Sequence, residues 1–181
     1  GDMLTRPARH YVENPPTDLP VHTVMLRGSG KEVVSGWWVP GRSGMGAVLL
    51  LHGIRADRRQ MLGRARFLHR LGYHAMLVDL PAHGESSGDH ITFGATESLG
   101  VAKALRYLET VAPGEKIGVI GVSLGAASVV LLQDPPPLAA EQQLARGETA
   151  EAVEPPRVDR PERRSPRRRQ RRDGVGDEHE P

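Results

Sequence analysis

Cysteine is absent from the 181-residue sequence, which excludes a disulfide framework, a thiolate metal site and a cysteine nucleophile. No apolar run reaches the roughly 18–20 residues of a membrane-spanning helix. Residues 1–7 also lack the apolar core of a secretory signal peptide. We therefore expect a cytoplasmic protein, with a membrane anchor before Gly1 as an open alternative.

Aromatic residues, methionine and lysine are all missing from residues 134–181. Residues 157–172 instead carry nine arginines and only two acidic residues. A segment of this composition cannot bury enough apolar surface to offset the entropy that is lost on ordering. We therefore predict three regions, which are an extended lead-in at 1–20, a folded domain at 21–140 and a disordered tail at 141–181.

The folded domain alternates between strand and helix patterns. Two β-rich runs, 21–27 and 33–39, predict an antiparallel hairpin. Three apolar strands then alternate with amphipathic helices near 58–71 and 92–110, which is typical of a parallel α/β sheet. Ligands of such sheets bind beyond the carboxyl ends of the strands, so we expect the functional residues there.

Three local features of this domain carry their own expectations. Trp37 and Trp38 are adjacent in a strand and should face opposite sides of the sheet. Thr92 is the expected cap of the helix that ends near residue 110. The arginine pairs at 58–59 and 64–66 are most simply the solvated face of a helix.

The most informative stretch is 117–132, which predicts a buried strand, a tight turn and a helix of small and apolar residues. The turn is Gly-Val-Ser-Leu-Gly at 121–125. Gly-x-Ser-x-Gly between a strand and a helix is the nucleophile elbow, in which a sharp, strained turn exposes the serine. Ser123 is thus the candidate nucleophile, and the amide of Leu124 would face a negatively charged oxygen bound beside it.

Two further motifs lie at the ends of earlier predicted strands. They are Leu-Leu-Leu-His-Gly at 49–53 and Asp-x-x-x-His-Gly-x-Ser at 79–86. Together with the elbow, and in this order, they resemble the α/β-hydrolase superfamily. The resemblance covers about residues 21–140. It is greatest to a bacterial branch of serine-aminopeptidase-like and esterase-like proteins.

The resemblance implies a serine hydrolase that acts on a small-molecule carboxylic ester or amide through an acyl-enzyme on Ser123. It implies an oxyanion hole formed by the amides of Leu124 and Ile54. No cofactor and no metal are expected. The residues expected to shape the turns of the site are His52, Gly53, Asp79, His83, Gly121 and Gly125.

The family order is serine, then an acid, then a histidine, on strands beyond the elbow helix. Those strands have no counterpart here, so we expect the N-terminal portion of the fold, truncated after the elbow helix. No triad acid or base is identified. His83 is expected near the mouth of the site as a loop residue that hydrogen-bonds locally, and it is also the best substitute base. His179 is the only histidine after Ser123. We predict little or no activity, and self-association through an exposed sheet edge.

The arginine-rich tail has two interpretations. In one, the protein is a non-catalytic hydrolase-like scaffold whose residues 157–172 bind nucleic acid or an acidic partner. In the other, the tail is a shifted reading of GC-rich DNA. Arginine without lysine, and the end of the resemblance partway through a fold, favour the frameshift.

Overall fold

A five-stranded mixed sheet carries the fold in residues 2–27, 32–133 and 138, which are those that the computed structural model describes. The elements in chain order are α1 (Asp2–Thr5), β1 (Ala8–Arg9), β2 (His22–Arg27), β3 (Val33–Val39), β4 (Ala47–Leu51), a 3₁₀ helix (Arg58–Met61), α2 (Leu62–Leu71), β5 (His74–Val78), β6 (His83–Gly84), α3 (Ala95–Val111), β7 (Ile117–Gly121) and α4 (Leu124–Val130). The strand order of the sheet is β2-β3-β5-β4-β7.

The predicted hairpin and parallel strands are confirmed. Strands β2 and β3 pair antiparallel, and β4 pairs parallel with β5 on one side and with β7 on the other. In the paired register, Leu51 is level with Val78 and with Gly121. The residues that follow these three strands therefore emerge at one edge of the sheet, as the sequence predicted.

The hydrophobic core lies on both faces of the sheet, and the adjacent tryptophans contribute to opposite faces as expected. Trp37 packs with Val12 and Leu19 of the lead-in and with residues of α2, whereas Trp38 packs on the side of α3. Every residue of β4 is buried, because helices cover both of its faces. In the described ranges, no helix is both long and apolar enough to cross a bilayer.

The lead-in contributes more than extended backbone. Its two-residue strand β1 pairs in parallel with β6, with Ala8 opposite His83 and Arg9 opposite Gly84. The amide of Ala8 donates to the carbonyl of Ala82 at 2.7 Å. These bonds attach residues near the chain start to the loop that follows β5. The predicted tail at 141–181 and the hairpin turn at 28–31 lie outside the described residues.

The prediction that Arg58 is solvated is wrong. Its side chain is only 2% exposed and donates to the Asp79 carboxylate at 2.6 Å and to Glu85. The guanidinium carbon also lies 4.7 Å from the centre of the Trp37 ring. Helical periodicity assigned this arginine to the surface because its charge partner is 21 residues away in sequence.

The predicted cap of α3 is also displaced. The helix begins at Ala95 after Gly94, whose φ of 116° suits glycine. Thr92 still makes the predicted side-chain cap bond, because its hydroxyl accepts from the amide of Thr96, the second residue of α3, at 2.7 Å. The buried Glu97 carboxylate accepts from the amides of Thr92 and Gly94 and from the Thr92 hydroxyl. Glu97 therefore holds the residues before the helix in a turn, and the helix starts two residues later than a cap at Thr92 implies.

The buried ion pair generates a stability prediction with a neighbouring control. Replacing Arg58 with methionine leaves the Asp79 carboxylate buried and without its cation, so we expect a loss of about 3–5 kcal/mol in unfolding free energy. Arg59→Met removes the pairing of a 37% exposed side chain with Asp57, and should cost less than about 1 kcal/mol. Urea denaturation measures both, and equal losses would contradict the assignment.

Candidate active site

Ser123 occupies the turn between β7 and α4, as the elbow motif predicted. Its backbone has φ 47° and ψ −107°, a combination that is strained for any residue with a side chain. The side chain is exposed. Its hydroxyl makes no hydrogen bond to residues 2–27 or 32–133. The turn therefore presents an exposed serine at the carboxyl edge of the sheet, and no group of these ranges hydrogen-bonds its hydroxyl.

The two motif glycines are required by the close approach of strand and helix. A Cβ on Gly121 would lie 2.6 Å from the amide nitrogen of Ala126. A Cβ on Gly125 would lie 2.7 Å from the Leu51 Cβ and 2.8 Å from the Leu51 carbonyl oxygen. Real side chains do not tolerate such distances, so α4 packs directly against the end of β4 only because these positions lack side chains.

His52 links the turn after β4 to the loop after β5. Its Nε2 accepts from the Leu80 amide at 3.0 Å, so the proton of the neutral ring lies on Nδ1, which donates to the Gly53 carbonyl at 2.7 Å. The ring is fully buried, and burial lowers the pKa of His52 to about 4. Both nitrogens are engaged, and a ring with so low a pKa accepts a proton weakly, so His52 is unsuited to act as a general base.

The amides of the His52-Gly53-Ile54 turn differ in their partners. The Gly53 amide donates to the Oε1 atom of Gln60 at 2.8 Å. The amides of Ile54 and Leu124 donate to no group in the described part of the chain. The two turns are adjacent, since a Cβ on Gly53 would lie 3.7 Å from the Val122 carbonyl oxygen. Two backbone donors thus remain available near the serine.

Asp79 fixes the loop that follows β5. Its Oδ1 accepts from the Arg58 amide at 2.8 Å, and its Oδ2 accepts from the Glu85 amide at 2.9 Å as well as from the Arg58 guanidinium. Burial raises the pKa of this carboxyl, and the Arg58 charge opposes that effect. With both oxygens engaged, Asp79 holds its own loop and the 3₁₀ helix together.

The expectation that His83 lies near the mouth of the site is wrong. The ring is fully buried, with its centre 5.1 Å from the centre of the His52 ring. Its Nδ1 lies 2.9 Å from the Pro81 carbonyl oxygen, and its Nε2 has no hydrogen-bond partner. Burial also lowers the pKa of His83. The ring lies in the packed loop because His83 itself belongs to β6, which pairs with β1 of the lead-in.

A histidine–carboxylate pair that sequence reasoning missed lies beside the turn after β4. The Nε2 atom of His10 is 2.9 Å from Asp57, and its Nδ1 is 3.0 Å from the Ala8 carbonyl. Burial disfavours the Asp57 carboxylate, but hydrogen bonds from Arg59 and His10 outweigh it and lower the pKa. Both nitrogens of His10 are engaged, so neither is free for Ser123. Nothing in the sequence signals this pair, because lead-in and loop meet only in the fold.

No triad base or acid for Ser123 is found among the described residues, since no histidine there bonds its hydroxyl. His179 lies outside them. The same ranges contain no cluster of three or more histidine or acidic side chains that could hold a metal ion. The described site therefore consists of an exposed serine and two backbone amides without an acceptor in the described ranges.

The elbow geometry can be tested with two glycines of the same strand–turn–helix unit. In Gly125→Ala the new methyl group meets Leu51 at 2.7 Å, so we expect a loss of about 1–3 kcal/mol in unfolding free energy. In Gly118→Ala the nearest atom is 4.0 Å away, and stability should change by less than about 0.5 kcal/mol. Thermal and urea unfolding measure both, and a larger loss in Gly118→Ala would argue against the close approach.

The depressed pKa of His52 predicts acid sensitivity. Between pH 6.5 and about 4 the unfolded chain binds a proton that the folded His52 does not, so stability must fall as the pH falls. The contribution of this residue across that window is at most about 3 kcal/mol. The difference between wild type and His52→Asn in unfolding free energy should shrink accordingly from pH 7 to pH 4. A difference independent of pH would contradict a neutral, buried His52.

Known proteins are similar to this chain in sequence and in fold. Residues 48–179 match the model of the alpha/beta hydrolase family, a range that starts later and ends later than the 21–140 estimated from the motifs. No curated protein matches the sequence. A serine hydrolase without a lid from Xanthomonas campestris has 20% identity and a TM-score of 0.52 over 65% of this chain and 60% of its own, which shows the fold alone.

An esterase from Pyrococcus furiosus is more similar in sequence. One crystal form has 29% identity and a TM-score of 0.63 over 72% of this chain and 53% of the esterase. Another has 28% identity and a TM-score of 0.60 over 86% of this chain and 64% of the esterase. The chain thus spans between about half and two thirds of that esterase. With the family match covering more than half of its length, the chain belongs to the alpha/beta hydrolase family.

Proposed function

We propose that this protein is a serine hydrolase that cleaves a carboxylic ester or amide through an acyl-enzyme on Ser123. The observation that carries the proposal is the exposed serine at φ 47°, next to a turn in which the Ile54 amide has no acceptor among the described residues. A strained, exposed serine at a strand–helix turn is the geometry in which esterases hold their nucleophile. The similarity to a Pyrococcus furiosus esterase supports an ester as the substrate.

In the proposed reaction, Ser123 Oγ bonds to the carbonyl carbon, its proton passes to water, and the carbonyl oxygen becomes negative. When the carbonyl re-forms, the bond to the alcohol or amine breaks, this group leaves with a proton from water, and the acyl-enzyme that remains is hydrolysed by water. The amides of Leu124 and Ile54 are the proposed donors to that oxygen. Leu124 is the first residue of α4, so its N–H also lies at the positive end of the helix dipole. One donor of this kind lowers the barrier by roughly 2.7–4 kcal/mol.

His52 supports the Ile54 donor through peptide geometry. The Gly53 carbonyl, which accepts from His52 Nδ1, belongs to the same peptide unit as the Ile54 amide. That unit is planar and trans, so its carbonyl and its N–H point in opposite directions. By fixing the carbonyl, His52 also fixes the direction of the Ile54 N–H. This is a positioning role, which requires no proton transfer to the ring.

The proposal includes low activity for the 181-residue chain. A serine hydroxyl is weakly nucleophilic without an adjacent base, and the described residues supply none. Backbone donors and a strained serine still favour attack at this position over other serines. Slow reaction at one site, rather than no reaction, is therefore the expected behaviour.

Fluorophosphonate labelling with peptide mapping tests both parts of the proposal. We expect a slow adduct confined to Ser123, its absence in Ser123→Ala, and negligible turnover of p-nitrophenyl acetate. Adducts spread equally over exposed serines would contradict the assignment of the nucleophile. Rapid labelling and turnover that depend on Ser123 would leave the nucleophile assigned but overturn low activity, and would require a base outside the described residues.

Self-association through the sheet edge is a separate proposal. Strand β7 is the last in the strand order of the described sheet, and an unpaired strand edge favours pairing with another chain. Exposed apolar side chains of β7 and of the end of α4, which are Ile120, Val130 and Leu131, would add to the association. Sedimentation velocity over a range of protein concentrations measures it.

A second candidate function is nucleic-acid binding through residues 157–172, as proposed from the sequence. The nine arginines of that segment support it, because arginine neutralises phosphate charges. Binding that weakens steeply with salt and disappears without residues 141–181 would favour this function. Binding that does not need those residues would argue against it.

A further inference from the structure

Gln60 has an unusual position for an exposed polar residue. Its side chain folds back so that Oε1 accepts from the buried amide of Gly53 at 2.8 Å. Without this oxygen the Gly53 N–H would be left without a partner in a packed turn, which is unfavourable. None of the sequence motifs includes Gln60.

The bond to Gln60 matters because Gly53 joins two peptide units. The first unit contains the Gly53 amide, which Gln60 holds, and the second contains the Gly53 carbonyl, which His52 holds. Glycine has the widest choice of backbone angles, so either unit can rotate once it is released. Rotation at Gly53 would turn the Ile54 amide, which lies in the second unit, away from its direction.

Gln60 itself stands on a rigid support. It lies in the 3₁₀ helix that Asp57 caps by accepting from the Arg59 amide at 2.8 Å. The first amide of that helix, from Arg58, donates to the buried Asp79 carboxylate. The side-chain oxygen of Gln60 is therefore presented from a fixed backbone, which is what positioning a second group requires.

Space does not dictate glycine at position 53. A Cβ there would have no neighbour closer than 3.6 Å, and one of its two nearest atoms is the Gln60 oxygen. Lack of room for a side chain therefore does not explain the glycine, and the two peptide units are held by hydrogen bonds with Gln60, with His52 and with the amide of Ala56. Alanine at this position would fit and would restrict the backbone by itself.

We propose that Gln60 is a positioning residue, which holds the Gly53 peptide so that the Ile54 amide points at the oxyanion. The inference rests on the proposed hydrolase function, because only in that reaction would the Ile54 amide donate to an oxyanion. It does not make Gln60 a catalytic residue, because the side chain acts only through the Gly53 amide. The orientation of the Ile54 N–H can be measured whether or not the chain turns over a substrate.

The test compares Gln60→Met, which keeps the length of the side chain but removes its acceptor, with Arg64→Met, an exposed position on α2. In Gln60→Met we expect hydrogen exchange of the Gly53 amide to accelerate about tenfold or more. The residual dipolar coupling of the Ile54 N–H should change. The rate of fluorophosphonate labelling at Ser123 should fall by about tenfold, while Arg64→Met leaves all three unchanged.

A rescue variant separates positioning from general loosening. Adding Gly53→Ala to Gln60→Met restricts the turn again, so part of the Ile54 coupling and of the labelling rate should return. Unchanged exchange or an unchanged Ile54 coupling in Gln60→Met would overturn the inference, as would lost orientation without any loss of labelling. If wild type forms no Ser123 adduct, the proposed function fails, and the exchange and coupling data alone then decide whether Gln60 positions the turn.

Discussion

The ion pair between Arg58 and Asp79 is the interaction on which the arrangement of the loops depends. Both charges are removed from water, which is tolerable only because every oxygen of Asp79 also accepts from the backbone or from the guanidinium. One partner belongs to the 3₁₀ helix after β4 and the other ends β5. Pairing them fixes the two loops relative to each other at the edge where Ser123 emerges, and provides the support on which the turn containing Gly53 rests.

The candidate site is built in two halves of different character. The half that would stabilise negative charge comes from backbone amides, and short-range bonds from His52 and Gln60 keep one of them in place. The half that would move a proton has no member among the described residues. Local structure can therefore orient dipoles around Ser123 without a complete triad, because each donor depends on its own turn and not on the distant acid and base.

Much of the fold could be predicted because its signals are local. The strands β4, β5 and β7 are continuous apolar runs, and Gly121, Ser123 and Gly125 form a motif whose geometry follows from steric limits. The burial of Arg58 and the bond from Gly53 to Gln60 could not be predicted, since partners distant in sequence meet only after folding. Thr92 illustrates a third case, in which the residue that makes the cap bond was identified, but a turn held by the buried Glu97 places the helix start two residues later.

The backbone conformation of Ser123 is unfavourable for the residue that occupies it. Angles of φ 47° and ψ −107° are unfavourable for serine by roughly 1–3 kcal/mol, whereas glycine adopts positive φ without a steric penalty. On backbone conformation alone, glycine would therefore be more favourable than serine at this position. The hydroxyl contributes no hydrogen bond within the described chain to offset the strain. A requirement other than stability must therefore account for the serine, and the hydroxyl is the only polar group that glycine would lack.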